Sequence, residues 1–224
     1  MRTSASVLWF PDGLKGKMFS TEEFNKYCDE MRILLALHHE LYTNICKDVY
    51  LEELSSKAFK SIGKRSDWKA DCSHEVGRDQ TVGDNKISNK SGMISIDNNN
   101  VTIKISGSRT SKFPTLEEKL DFLNKKNYDY ILGCGTATGE KNNEENLLFD
   151  FPRRYYLYVI RGSKIDYVNL LDWKEDQDKK GNQKWQGIGE GIIADIQTKS
   201  TSNQLWLTIE KDFCDHFAEL EIDL

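Results

Sequence analysis

The chain has 224 residues, 38% of them hydrophobic and 30% charged, with a formal net charge of -5. A single core is expected at this length, because one core serves chains of up to roughly 250 residues. No run approaches the roughly 18 consecutive apolar residues of a membrane span, and the apolar stretch before Pro11 is too brief for a secretory leader, so a cytoplasmic protein with no membrane partner is expected.

The acidic balance, with a pI near 5.5, argues against a surface coated in basic charge for nonspecific nucleic-acid binding. It leaves room for an enzyme that encloses DNA in a locally basic cleft, because metal-dependent nucleases gather carboxylates at their site. The cysteines Cys28, Cys46, Cys72, Cys134 and Cys214 lie far apart and form no C-x-x-C pair. That spacing offers no structural zinc site, and an odd number in a non-secreted chain favours free thiols.

In chain order, the first element opens at Ser20, which can form a capping box with Glu23. Phe24, Tyr27, Met31, Leu34, His38, Leu41 and Ile45 then recur in alternating steps of three and four, apolar except at His38, which predicts a long helix. Asp48 is the expected cap of a second helix, with Leu51, Leu54, Ala58 and Phe59 on one face and Gly63 ending it. Residues 66–85 are polar and interrupted by glycine. Three short strands are expected at 86–88, 93–96 and 101–106, with a turn at 97–100, where Asp and Asn tolerate left-handed backbone angles. Thr115 and Glu118 form a second capping box, for a helix with Leu116, Leu120 and Leu123 on its apolar face. Two mostly apolar strands, 128–133 and 155–161, flank a polar excursion at 136–147. The last third holds a charged loop at 173–187 and a hairpin-like pair at 192–197 and 204–209.

This order predicts an α/β fold with a mixed central sheet flanked by helices. One domain is expected over 1–224, with a helical N-terminal part at 20–62, a core part at 70–161 and a β-rich tail at 162–224.

Asp84 precedes one strand, Thr102-Ile103-Lys104 lies on a later one, and Glu118 sits on the next helix, with residues 105–117 between it and Lys104. Over roughly 70–161 this order resembles the common core of the PD-(D/E)XK nuclease superfamily, to which many type II restriction endonucleases belong. In that family an Asp on one strand, and an acid two residues before a Lys on the next, hold a divalent metal beside the scissile phosphate. The resemblance implies Mg²⁺ held by Asp84 and Glu118, with Lys104 orienting the attacking water and stabilising charge on the phosphate. Thr102 stands where an acid is usual. Some restriction enzymes place a hydroxyl residue there and supply the acid from the following helix, which is the role Glu118 would take. Glu75, or an acid from the N-terminal helices, is a candidate helper. A second register pairs Asp79 with Lys90, but Ser88 then occupies the acid position and no acid follows nearby, so the first register is preferred. Glu118, Asp84 and Lys104 each also have an ordinary reading, as a capping residue, a solvated turn and an exposed strand residue.

The segment 106–112 is basic and hydroxyl-rich, and it makes Ser108, Arg109 and Lys112 candidates for DNA contact, with Lys199 in a similar segment of the tail. His74-Glu75 and His38-His39-Glu40 are weaker metal candidates, and no partner histidine identifies Cys134 as a nucleophile. Gly133-Cys134-Gly135 reads as a loop, and no phosphate-binding or nucleophile-elbow motif is present. The expected function is a Mg²⁺-dependent, sequence-specific endonuclease of double-stranded DNA, acting as a homodimer with the first long helix as a candidate dimer surface. The alternatives are a non-enzymatic protein-interaction domain and a nonspecific nuclease or toxin with the same core.

Overall fold

A computed structural model describes residues 17–69, 78–98, 100–126, 128–137, 154–178, 180–197 and 203–222. The first helix, α1 (Thr21–Leu41), starts at the expected capping box. Ser20 Oγ accepts from Glu23 N at 3.1 Å, and Glu23 Oε2 accepts from Ser20 N at 2.7 Å. Its buried face is Phe24, Tyr27, Cys28, Met31, Leu35 and His39, with Leu34 half-buried against the same core, and the expected His38–Leu41 continuation is not followed. The reason is periodicity. Alternating steps of three and four average 3.5 residues, which drifts about 20° per seven residues on a straight helix. Over five turns the core side therefore passes from Leu34 and His38 to Leu35 and His39. Leu41 and Ile45 are exposed, and the helix ends before Ile45 is reached.

The second helix, α2 (Asp48–Ser61), takes Lys47 as its N-cap residue, with no side-chain capping bond. Asp48 is thus the first helical residue instead of the cap. Gly63 follows the helix at φ +80, a backbone angle glycine adopts without a Cβ penalty.

Among the described residues ten strands form one sheet. A short strand, β1 (Gln80–Val82), pairs antiparallel with β2 (Asn85–Asp97) through a two-residue turn, Gly83-Asp84, with Gly83 at φ +59. The two short strands expected at 86–88 and 93–96 are parts of this single long β2. It turns at Asn98 (φ 46) into the antiparallel β3 (Asn100–Arg109). The chain then crosses through α3 (Leu116–Asn124), capped by Thr115 and Glu118 as expected, to β4 (Tyr130–Ala137), which runs parallel to β2. The remaining strands are β5 (Arg154–Arg161), β6 (Asp172–Gln177), β7 (Gln183–Gly189), β8 (Ile192–Gln197), β9 (Gln204–Glu210) and β10 (His216–Glu221). The order across the sheet is β10-β5-β4-β2-β3-β9-β8-β7-β6, with β1 beside β2. All pairings but β2–β4 are antiparallel.

The fold is therefore mixed α/β, with a large, mostly antiparallel sheet and, among the described residues, three α-helices. Its tail strands flank the core strands on both sides, β9 against β3 and β10 against β5. The charged stretch at 173–187 is a hairpin, β6–β7, and not a loop: Trp173 pairs with Gly187 across it, and Gly181 turns it at φ +77.

Two apolar layers form because β5 is buried on both faces. Tyr155, Leu157 and Val159 meet Phe24, Met31 and Leu35 of α1, while Tyr156, Tyr158 and Ile160 meet Leu120 and Leu123 of α3. Side chains alternate faces along a strand, so every residue of the sheet is assigned to the α1–α2 side or the α3 side. No described helix is long and apolar enough to cross a membrane.

Candidate functional site

Along its β4 edge, β2 pairs continuously from Ile87 to Ile94. Its other edge is shared. β1 takes Asn85 to Ile87, and β3 takes Gly92 to Asp97. The strand edge from Ser88 to Ser91 is left between the start of β1 and the end of β3. Asp79, immediately before β1, closes one side of this gap: its Oδ2 accepts from Asn89 N at 2.6 Å and from Ser88 Oγ at 3.2 Å. Ser106, just past the pairing of Ile105 with Gly92, borders the other side. A cleft of about 170 Å³ opens there, lined by Leu51, Glu52, Asp79, Asn89, Lys90, Ser91 and Ser106.

Glu52 reaches the cleft from α2, half-buried, with Oε2 accepting from Trp68 Nε1 at 3.2 Å. Asn89 is buried at 7% exposure and faces α2. Its Oδ1 accepts from Gln80 Nε2 at 3.3 Å, and Gln80 also bonds Ser55 and Ser66. This fully buried glutamine ties α2, β1 and β2 together behind the cleft and fixes the Asn89 amide. Asn89 Nδ2 is left buried without a partner among the described residues. A buried donor of this kind is costly unless something binds it.

Lys90 shares the α3-side face of Ile94 by strand alternation, as does the end of α3. There Lys126 is pushed down to about 8 by burial, with the like charge of Lys90 adding to the effect and Asp79 opposing it. Lys90 and Asp79 therefore both lie close enough to Lys126 to act on it from the gap.

The preferred sequence register is not brought together. Asp84 is exposed in the β1–β2 turn, beside Asn85. Lys104 pairs with Met93, eight residues farther along β2, about 26 Å at the usual strand rise. Lys104 also lies on the α1–α2 side, with Nζ 5.5 Å from the centre of the Trp206 ring. Glu118 belongs to α3, on the opposite side, where its carboxylate is occupied by the capping box. The migrated acid is held at the helix end for a local reason, the two backbone N–H groups that the box satisfies.

The second register is brought together. Asp79 and Lys90 line one cleft, Ser88 in the acid position donates to Asp79, and the second carboxylate comes from Glu52 on an earlier helix. Nothing in the spacing of Glu52 marked it, since the contact joins residues far apart in the chain.

Ser108, Arg109 and Lys112 follow Ser106 in the chain, with Arg109 and Lys112 exposed, and of this segment Ser106 lines the cleft. Thr110 anchors it, its N and Oγ both bonding Asn203 O. Lys199, His74 and Glu75 lie outside the described residues, as do residues 138–147 of the polar excursion. His38 and His39 belong to a hydrogen-bonded packing layer over Tyr155. Cys134 is buried in β4, where burial raises its thiol well above the ordinary range and disfavours the nucleophilic thiolate. The Gly133-Cys134-Gly135 run is interior strand, not loop.

Among the described residues no cluster of three or more His, Cys, Asp or Glu side chains could hold a metal. Two carboxylates on one cleft still suit a hard cation that keeps most of its waters, since Mg²⁺ is commonly held through one or two carboxylates plus substrate oxygens. No family model, curated protein or solved structure matches the chain.

Proposed function

We propose that the protein is a divalent-metal-dependent phosphodiesterase acting on double-stranded DNA, with its chemistry in the cleft between Asp79 and Ser106. The observation that carries this reading is the convergence at the Ser88–Ser91 edge of two carboxylates, an amine and a buried amide donor with no partner among the described residues. Phosphodiester hydrolysis asks for these groups: oxygen ligands for a cation, positive charge for the phosphorane, and donors for the nonbridging oxygens.

Asp79 and Glu52 would hold Mg²⁺, which supplies Lewis-acid polarisation of the phosphate and a more acidic bound water. Lys90 would stand against a phosphate oxygen and stabilise the charge that develops there. On the other, α2 side of the strand, Asn89 Nδ2, held in place by Gln80, would donate to a substrate oxygen there. Ser108, Arg109 and Lys112 would grip the backbone or base edges beside the cleft.

Sequence-specific cutting by a homodimer belongs to the same proposal. What speaks for a second copy is the strip Ile33, Leu37 and Leu41 on α1, exposed at 56%, 50% and 77% and spaced four residues apart.

The test is incubation of mixed-sequence genomic DNA, methylated and unmethylated, with the purified protein in Mg²⁺ or Mn²⁺ and in EDTA. Discrete fragments in metal and intact DNA in EDTA are expected. Intact DNA under every condition overturns the proposal and favours the protein-interaction alternative, while a smear without discrete fragments removes sequence specificity alone.

A further inference from the structure

On the α1–α2 side of the sheet, a cavity of about 810 Å³ adjoins the Asp79 cleft and shares Ser91 and Ser106 with it. This is within the usual range for small-ligand sites. Its walls are aromatic. Tyr42 and Tyr50 face each other at 6.0 Å between ring centres, His38 lies 5.1 Å from Tyr42, and Trp206 closes the floor beneath Lys104.

Tyr42 and Tyr50 are 49% and 55% exposed, a large apolar area to leave in water at the mouth of a cavity. The rim is held in place without a ligand. Tyr155 Oη binds both Cys46 N and His39 Nε2 at 2.9 Å, and His38 Nε2 lies 3.1 Å from Asn44 O.

The charge of the cavity is unlike that of the chain. No acidic side chain among the described residues lines it, while Lys47 and Lys104 do, in a protein of net charge -5. An occupant with a flat ring and an attached anion fits both features.

We propose that this cavity receives a single nucleobase turned out of the stack, on the strand whose phosphate lies in the Asp79 cleft; the inference rests on the phosphodiesterase reading. A base inside a duplex cannot enter a concave site, so the nucleotide must be unpaired or rotated outward. Its face then stacks on the tyrosine rings, which accept any base because every base has a π-face, above the floor that Lys104 and Trp206 form. Hydroxyl and amide groups of Ser91, Ser106, Thr136 and Asn44 surround the space its polar edges would occupy. Lys104 is the cation available to the neighbouring phosphate. The shared serines join the two cavities, so one strand can thread both.

The experiment measures equilibrium binding to a short duplex carrying one abasic site, moved through every position in turn, in EDTA so that no strand is cut. In the unmodified protein, one position is expected to lower affinity about 5- to 150-fold, the loss of a single base–aromatic stack. In Tyr50→Ala the same abasic duplex should bind no worse than the intact one. Tyr50 is more than half exposed, so this variant keeps its core, and Lys104→Met provides a second, independent removal.

A flat profile across all positions, a position effect that both variants leave intact, or no binding to any duplex overturns the inference. A flat profile in a protein that cuts DNA in Mg²⁺ removes the base site and leaves the phosphodiesterase reading. A position effect abolished by Tyr50→Ala, in a protein that cuts nothing, does the reverse.

Discussion

The hydroxyl of Tyr155 lies 2.9 Å from His39 Nε2, and the pair fixes both the helix frame of α1 and the chain that roofs the aromatic cavity. His39 Nδ1 is 3.1 Å from the carbonyl of Tyr42, which can only accept, so Nδ1 carries the proton. Nε2 therefore accepts from the Tyr155 hydroxyl, and Tyr155 Oη accepts from Cys46 N–H.

Protonation of His39 turns Nε2 into a donor and breaks this chain. Burial holds the imidazole below its ordinary pKa of 6.5, so the folded state favours the neutral ring. The sign follows: the unfolded chain binds the proton more readily, and stability is full above pH 6.5 and falls as pH drops through the lowered folded value. Denaturant melts of the native protein and of His39→Gln between about pH 7.5 and about pH 5, which bracket the ordinary histidine pKa, check this. The variant is expected to show a smaller loss on acidification, and equal pH slopes would mean that His39 does not couple to folding.

The two catalytic registers make opposite demands. Asp79→Asn and Lys90→Ala are expected to lower cleavage by at least about 100-fold, the scale of removing a preorganised electrostatic group, with thermal unfolding little changed for Lys90→Ala. Glu118→Ala should cut normally but lose about 1 kcal/mol of stability, because its carboxylate serves the α3 cap. Urea melts and single-turnover cleavage of each variant separate the cases. Dead Lys104→Ala and Glu118→Ala enzymes beside an active Lys90→Ala enzyme would restore the preferred sequence register.

Gly133 sits under Tyr158, and a methyl there would fall inside the tyrosine ring. Tyr158 is fully buried between β4 and α3 and has no free direction in which to move. Gly133→Ala is expected to cost about 1–3 kcal/mol through overpacking, read as a lower urea midpoint with an unchanged slope. An unaltered midpoint would show that the α3-side core can shift.

Arg109 stands at the exposed end of β3, past the bulge that follows Ser106. If it makes a bidentate base contact, Arg109→Ala should weaken specific binding by about 1–3 kcal/mol and leave random duplex unaffected. If it meets phosphate alone, binding should weaken on all duplexes and the salt slope should fall by about one. Titrations at several salt concentrations distinguish these, and unchanged affinity on both DNAs would remove the segment 106–112 from the interface.

By itself the sequence determined those features whose cause is local. Both capping boxes were legible because a hydroxyl and a glutamate three residues apart satisfy backbone donors within a single turn. The alternation at Val101–Ile105, the turn at 97–100 and the β8–β9 hairpin were legible because strand period and turn chemistry involve neighbouring residues. What only the tertiary structure decided depends on contacts between distant segments. The charged β6–β7 hairpin and the short β1 and β10 are strands because a neighbouring edge accepts their backbone groups, which composition does not reveal. The partner that His39 finds, Tyr155, is more than a hundred residues away. The candidate site is of the same kind. Asp79, Lys90 and Glu52 meet in the gap between the start of β1 and the end of β3, and a gap in strand pairing is a property of three segments at once. Spacing along the chain favoured Asp84 and Lys104, but strand rise carries them about 26 Å apart, and that distance is set by where β2 finds its partners.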